Sequence, residues 1–359
     1  MRMINKRTKI LLFLTIIVFT TNSTAWSQAS DSTSVVENAL KLIHSPEPEF
    51  SAVPQTDTDP QVLADMGFEQ VYQNKPYRFN VSDGKTLFAY KYPQENSMTT
   101  ILLLHGVLSG AFMMNKTAGL LREATDAEVI ALDLRGHGQS EGTPGDVEMI
   151  NQYALDVVDV ITAIKKEKSD QRIILAGHSM GGGIALQVAM LKKPDLVDGY
   201  LMFAPLLGYK SPTISKSPAT KAGRNSQQFM RIHIKRIIGL KMLNSVGNHE
   251  YDHLPVLFFN LPDKVPIRTY SYRANESMTP EDYKVGLAAV DKPLLVLVGS
   301  NDESFVATEF EPVVTENSDG EVLIIEGATH NGIRHDERAM TTIRKWISNH
   351  KLGGYARWQ

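Results

Sequence analysis

The 359-residue sequence contains no cysteine. That absence excludes disulfides, thiolate metal sites and a cysteine nucleophile together. It says nothing by itself about compartment. Positive charge is not in excess either. Lys and Arg number 37 against 40 Asp and Glu, a formal charge of −3. This balance argues against general nucleic-acid binding. The N-terminal apolar run, Ile10 to Phe19, is shorter than the ~20 residues a membrane-spanning helix needs. The chain shows no internal repeat. At 42% hydrophobic residues it can bury one large core plus an insertion.

The N-terminus reads as a secretory leader, residues 1–27. Arg2, Lys6, Arg7 and Lys9 form a basic start with no acid. The short apolar run follows, then small and polar residues around Ala25-Trp26-Ser27 and Ser27-Gln28-Ala29. Cleavage after Ser27 or Ala29 fits a small-x-small rule. Loss of those four basic residues takes the formal charge from −3 to −7. There is no twin-arginine pair. The expectation is export to a periplasm or the outside; an uncleaved membrane anchor is the alternative.

Residues 28–70 form a polar lead punctuated by Pro46, Pro48, Pro54 and Pro60. Val35, Val36, Ala39, Leu40 and Ile43 can line a short helix within it. An arm lying on the core is expected. Tyr77 to Val81 and Thr86 to Tyr92 flank Ser82-Asp83-Gly84-Lys85 and predict a hairpin. Strands are then predicted near 100–105, 128–133, 172–177, 197–203, 293–299 and 321–325. Helices are predicted near 115–124, 146–167, 182–192, 303–310 and 335–350. This alternation implies right-handed crossovers and a mostly parallel sheet.

Chemistry enters at Gly177-His178-Ser179-Met180-Gly181. The pattern G-x-S-x-G follows the apolar run Ile173-Ile174-Leu175-Ala176. The glycines Gly181-Gly182-Gly183 then open a helix-like stretch. Strand, tight turn carrying a serine, helix: this context exposes a nucleophile on a sharp turn. The bland alternative is a glycine turn whose serine only caps the next helix. An acid and then a histidine should follow in the chain. Asp302 ends the apolar strand Leu294 to Gly299, and His330 follows Val322-Leu323-Ile324-Ile325 and a turn. Both sit just past strand C-termini, where sites form in open α/β sheets.

Acyl transfer also needs N–H groups to meet an oxyanion. Met180, next after the serine, is one expected donor. Val107, directly after His105-Gly106 and the strand Thr100 to Leu104, is the other. His105 is expected to shape that loop rather than act as a base. The glycines of Asp133-Leu134-Arg135-Gly136-His137-Gly138-Gln139-Ser140-Glu141-Gly142 read as turn formers.

These segments, with Gly299-Ser300-Asn301-Asp302 and Gly327-Ala328-Thr329-His330, carry a resemblance over roughly residues 75–350. The chain resembles the α/β-hydrolase superfamily, most closely its branch of monoacylglycerol lipases, lysophospholipases and serine aminopeptidase-like enzymes. The resemblance implies an α/β-hydrolase fold, with a mostly parallel central sheet flanked by helices and an inserted helical cap. It implies Ser179 as nucleophile, His330 as base, Asp302 as its orienting acid, Val107 and Met180 as oxyanion donors, and no cofactor. The expected substrate is a small ester, lipid-like in the leading reading, with a peptide or amide as the close alternative. The core is expected over 71–204 and 289–359.

The segment 205–288 departs from the family's pattern and is expected to fold as the cap. Between Leu206 and Asn248 it carries Lys and Arg but no Asp or Glu. Phe229 to Leu243 is basic and amphipathic. It can rest on an anionic membrane, or pack an apolar face on the core with its cations snorkelling outward. His249-Glu250-Tyr251-Asp252-His253 also spells H-E-x-x-H. On a helix, His249 and His253 would share a face for zinc, with Glu250 as base. Gly247, Asn248 and Pro255 crowd that helix at both ends and argue against the metalloprotease reading.

Overall fold

The computed structural model describes residues 34–51, 60–193, 195–214 and 229–354. The expected leader lies outside the described residues. The strands, in chain order, are β1 (Lys75–Asn80), β2 (Thr86–Tyr92), β3 (Thr99–Leu104), β4 (Glu128–Leu132), β5 (Arg172–His178), β6 (Gly199–Phe203), β7 (Met230–Ile232), β8 (Pro255–Phe259), β9 (Thr269–Ser271), β10 (Leu294–Gly299) and β11 (Glu321–Ile325). Eight form one sheet in the order β1-β2-β4-β3-β5-β6-β10-β11. The β1–β2 and β2–β4 pairs are antiparallel, and β4, β3, β5, β6, β10 and β11 run parallel.

Why these segments become central strands follows from their composition. Every residue of β3, β6 and β10 is buried. A parallel strand covered on both faces must be apolar on both faces, so it appears as a continuous run. The edge hairpin differs: β1 alternates exposure and ends the sheet with Lys75 and Arg78. Helices at Asn115–Thr125, Gln152–Glu167, Met180–Met190 and Glu337–Asn349 connect or cover the strands. In the last of these Ala339, Met340, Ile343, Trp346 and Ile347 are buried. Their spacing makes one apolar face at helical period.

The chain divides into two compact units. The larger spans residues 49–232 and 255–359 and holds both sheets. The smaller joins the N-terminal lead to residues 233–254. Within it, residues 34–43 are helical, with Ala39 and Ile43 fully buried. They pack against the helix Ile234–Ser245. A Cβ on Gly239 would lie 2.6 Å from the Ala39 carbonyl oxygen, so the backbones approach closely there. Arg236 donates to the Ile43 carbonyl at 3.0 Å and to Glu47 at 2.9 Å.

The insertion is helical at Ile234–Ser245, Tyr272–Glu276 and Tyr283–Ala288. It also contains the antiparallel sheet β7-β8-β9, which the sequence reading did not include. Its members are short, and β7 has only three residues. The helix expected near 303–310 starts later, as a tight turn at Ala307–Glu309 and a helix at Phe310–Thr315. Asp302 takes the N–H groups of Ser304 and Phe305 at 2.8 Å each, which turns the chain before a helix can begin. Among the described residues, no helix is long and apolar enough to cross a membrane.

Candidate active site

β5 ends at His178 and the next helix begins at Met180, leaving Ser179 alone in the turn. Ser179 has φ 53° and ψ −115°. A serine with positive φ is strained, and strain of this kind persists only where the surroundings fix it. They do so here. The Ser179 N–H donates to the Phe203 carbonyl at 3.0 Å. Its carbonyl accepts from Gly182, Gly183 and Leu206 at 3.0, 3.3 and 2.9 Å. Close approach makes two flanking glycines necessary. A Cβ on Gly177 would lie 2.3 Å from the Gly181 carbonyl carbon. One on Gly181 would lie 2.5 Å from the Leu104 oxygen.

Asp302 follows β10 and His330 follows β11, both at the C-terminal edge of the parallel strands. The carboxylate of Asp302 is fully buried. One oxygen holds Ser304 and Phe305; the other accepts from His330 Nδ1 at 2.8 Å. A carboxylate can only accept, so Nδ1 carries the proton and Nε2 is left as a base. Burial disfavours the His330 cation, but the Asp302 charge and hydrogen bond outweigh it. The net pKa is raised above the ordinary histidine value.

Three further groups fix His330. Glu303 accepts its backbone N–H at 3.0 Å. Phe305 meets its ring edge to face at 5.1 Å between centroids. His178 Nε2 bonds the His330 carbonyl at 3.0 Å, and their rings lie 4.8 Å apart. Burial first, then the Arg334 charge, push the His178 pKa well down, so His178 is a neutral donor. Neither Glu303 nor His178 was assigned a role from sequence. His178 stands inside the G-x-S-x-G pattern, but nothing in the pattern says what its ring holds.

The loop after β3 lies against the serine. A Cβ on Gly106 would sit 3.1 Å from His178 Nδ1 and 3.4 Å from the Ser179 Cβ. Val107 follows directly. Among the described residues, no backbone bond outside helices and strands engages the N–H groups of Val107 and Met180, and Met180 opens its helix, where an N–H has no intrahelical acceptor. Two such donors beside a serine are what an oxyanion requires.

This loop is held by neutral histidines, as the sequence suggested for His105. His105 Nδ1 donates to the Gly106 carbonyl at 2.8 Å, and Nε2 accepts from the Leu134 N–H at 3.1 Å. Burial lowers its pKa to about 4. His137, in the Asp133–Gly142 turn, bonds the Arg135 carbonyl and the Tyr270 hydroxyl, each at 2.9 Å. Burial lowers its pKa to about 3. Tyr270 in turn accepts from Leu108 N–H at 2.9 Å, holding that residue at φ 59°. Asp133 closes the arrangement by accepting from Ala111 and Gln139. Tyr270 carries no local sequence signal, because its partners lie more than a hundred residues away.

The H-E-x-x-H segment behaves differently from its zinc reading. Residues 250–253 are turns, not helix. His249 pairs with Asp252 at 2.9 Å, and His253 bonds the Glu250 carbonyl at 3.1 Å. Each histidine is engaged with its own turn. Among the described residues, no group of three or more His, Asp or Glu could hold a metal ion.

A family model described as "Serine aminopeptidase, S33" matches residues 95–253. Mouse monoglyceride lipase is 34% identical over 137 residues, 38% of this chain and 44% of that protein. The chain thus spans under half the length of that relative. An uncharacterized hydrolase of Bacillus subtilis strain 168, YugF, is 29% identical over 239 residues, 63% of this chain and 80% of that protein. The solved structure of a bacterial membrane phospholipase A superposes with a TM-score of 0.53 at 18% identity, covering 94% of this chain and 99% of its own. The chain has the α/β-hydrolase fold, and its matched segments are similar to members of that superfamily. The matched segment is similar to a family of serine hydrolases. The fold sets the strained Ser179 turn beside the Gly106–Val107 loop and, through His178, against the His330 that Asp302 orients.

Proposed function

We propose that the protein is a serine esterase acting on lipid-like carboxylic esters, with monoacylglycerols or lysophospholipids as the substrate class. The observation that carries the serine mechanism is the 2.8 Å bond from His330 Nδ1 to the buried Asp302, which leaves Nε2 as the base. In this reading His330 takes the proton of Ser179 Oγ as the oxygen attacks the ester carbonyl. The N–H groups of Val107 and Met180 hold the oxyanion. His330 then protonates the departing alcohol, and water, deprotonated by the same base, frees the acid.

The lipid preference draws support from the likeness to mouse monoglyceride lipase. It draws support also from apolar surface in the insertion. Phe229 and Met230 are exposed. In the smaller unit, Ile234 and Ile238 are exposed on a helix that also exposes Lys235. Apolar and basic groups together suit an anionic membrane surface. The insertion is thereby the element that selects substrate. We further read the protein as exported, its mature form beginning near Gln28 or Ser30. The name of the matched family favours one competing reading, an exported aminopeptidase.

A chain-length series of esters beside aminoacyl amides separates the two. Each methylene buried in an apolar groove contributes about 0.8 kcal/mol. If the insertion forms such a groove, ester hydrolysis should rise with acyl length until it is filled, then level or fall. A flat series, with amides cleaved faster than any ester, rejects the lipid reading and leaves the serine mechanism intact.

A further inference from the structure

Residues 60–72 lie outside the matched family region, which begins at residue 95. The helix Pro60–Met66 contains no fully buried residue, its Val62, Ala64 and Met66 being half-buried. Polar contacts also hold it. The Asp65 carboxylate accepts from the Thr329 hydroxyl at 2.9 Å. The Asp65 carbonyl accepts from Arg334 Nη2 at 2.7 Å. Thr329 directly precedes His330, and its hydroxyl also accepts from the Gly332 N–H at 2.9 Å. Arg334 is 2% exposed and turns back on the same loop, donating to the carbonyl and side chain of Asn331 at 3.1 Å each. Burial pulls its pKa down to about 10.

The other end of this segment grips the region after the Gly106–Val107 loop. Gly67, at φ 85°, approaches so closely that a Cβ would lie 2.2 Å from the Met113 carbonyl oxygen. Gln70 donates to the Phe112 carbonyl at 2.8 Å. The Tyr72 backbone exchanges two hydrogen bonds with the Asn115 side chain, at 2.9 and 2.7 Å. One short segment therefore links the chain that follows the oxyanion loop to the loop that carries the base.

We infer that residues 60–72 are a strap that positions His330, with Asp65 as the positioning residue acting through Thr329. The inference rests on reading Ser179 and His330 as nucleophile and base. A hydroxyl held on both sides fixes the Thr329 backbone, and with it the direction of the next residue's ring. Small errors in that direction cost rate rather than binding.

The test uses the full chain and two readouts: the rate at which a small fluorophosphonate modifies Ser179, and kcat and KM for a short p-nitrophenyl ester. Asp65→Ala should lower the labelling rate and kcat by about tenfold and leave KM within about twofold. Asp65→Asn should keep most activity, because its amide oxygen accepts the same hydroxyl. Thr329→Val should match Asp65→Ala, and the double variant should be no worse than either single one. Where Asp65→Ala does not fold, Thr329→Val carries the same test. A labelled wild type with Asp65→Ala labelled equally fast overturns the strap alone. So does a loss confined to KM or to thermal stability. An unlabelled wild type overturns the Ser179 reading and the strap with it.

Discussion

At the scale of single residues, the decisive balance is on His330. Burial alone would favour its neutral form, yet Asp302 keeps the net pKa raised. Protonated His330 cannot accept the serine proton. Activity should therefore fall as pH drops through a value above the ordinary histidine pKa of about 6.5. Full activity should lie on the alkaline side. The pH profile of kcat/KM checks this. In Asp302→Asn the cause of the raised pKa is gone, and so is the acceptor that fixes the tautomer. We expect a loss of several orders of magnitude. Near-wild-type turnover in that variant would assign the orienting role to another carboxylate, and Glu303 is the neighbour to examine.

Residues differ in how far the sequence announces them. Ser179, Asp302 and His330 stand at strand ends within patterned segments, so order and context pick them out. Glu303, Tyr270 and Asp65 do not. Each acts through a contact that only tertiary folding makes: Glu303 on the His330 N–H, Tyr270 on Leu108, Asp65 on Thr329. No periodicity or spacing encodes a partner 27, 162 or 264 positions away.

At the scale of elements, the turn between β5 and its helix sets the strictest demand. Gly181→Ala places a methyl carbon 2.5 Å from the Leu104 oxygen, which is backbone and cannot swing aside. We expect a destabilisation of about 3 kcal/mol or more, or failure to accumulate soluble protein. Gly84→Ala is the control. It sits at φ 87° with nothing within 4 Å, so only backbone strain of about 1–2 kcal/mol applies. Denaturant midpoints of the two variants measure the contrast. Central strands were legible because burial on both faces demands unbroken apolar runs. The helix near 303–310 was misplaced because the Asp302 side chain competes for the first N–H groups. The small sheet β7-β8-β9 was missed because two of its strands have only three residues, too few positions to show a period.

The H-E-x-x-H segment shows the same lesson from the other side. Its spacing has meaning only on a helix, and here the residues turn. Chelation should leave ester hydrolysis unchanged, and His249→Ala should retain most activity. Zinc bound in stoichiometric amount, lost together with activity on chelation, would reverse that conclusion.

At the scale of the whole molecule, buried neutral histidines couple stability to pH. His105 and His137 have pKa values lowered by burial to about 4 and about 3, and His335, packed beside Arg334, is lowered to about 3. The unfolded chain protonates each near 6.5, so it binds more protons than the fold below that pH. Stability should fall as pH drops from about 6.5 toward 4, by on the order of 2–3 kcal/mol for each fully buried ring. Thermal midpoints across that range check the direction. A stability maximum near pH 4 would contradict it. The larger unit's architecture was readable from alternation of strand and helix. The pairing of residues 34–48 with 233–254 was not, since it joins segments about two hundred positions apart through backbone contacts such as Gly239 on Ala39.

The proposed mechanism depends most on a single atom, Ser179 Oγ. Wild type and Ser179→Ala should be treated with a fluorophosphonate, digested, and mapped by mass spectrometry, with ester turnover measured on both. The expected result is one modified peptide, modified at Ser179, and no modification or turnover beyond background in Ser179→Ala. Modification at another residue, or ester hydrolysis that persists in Ser179→Ala, would contradict it.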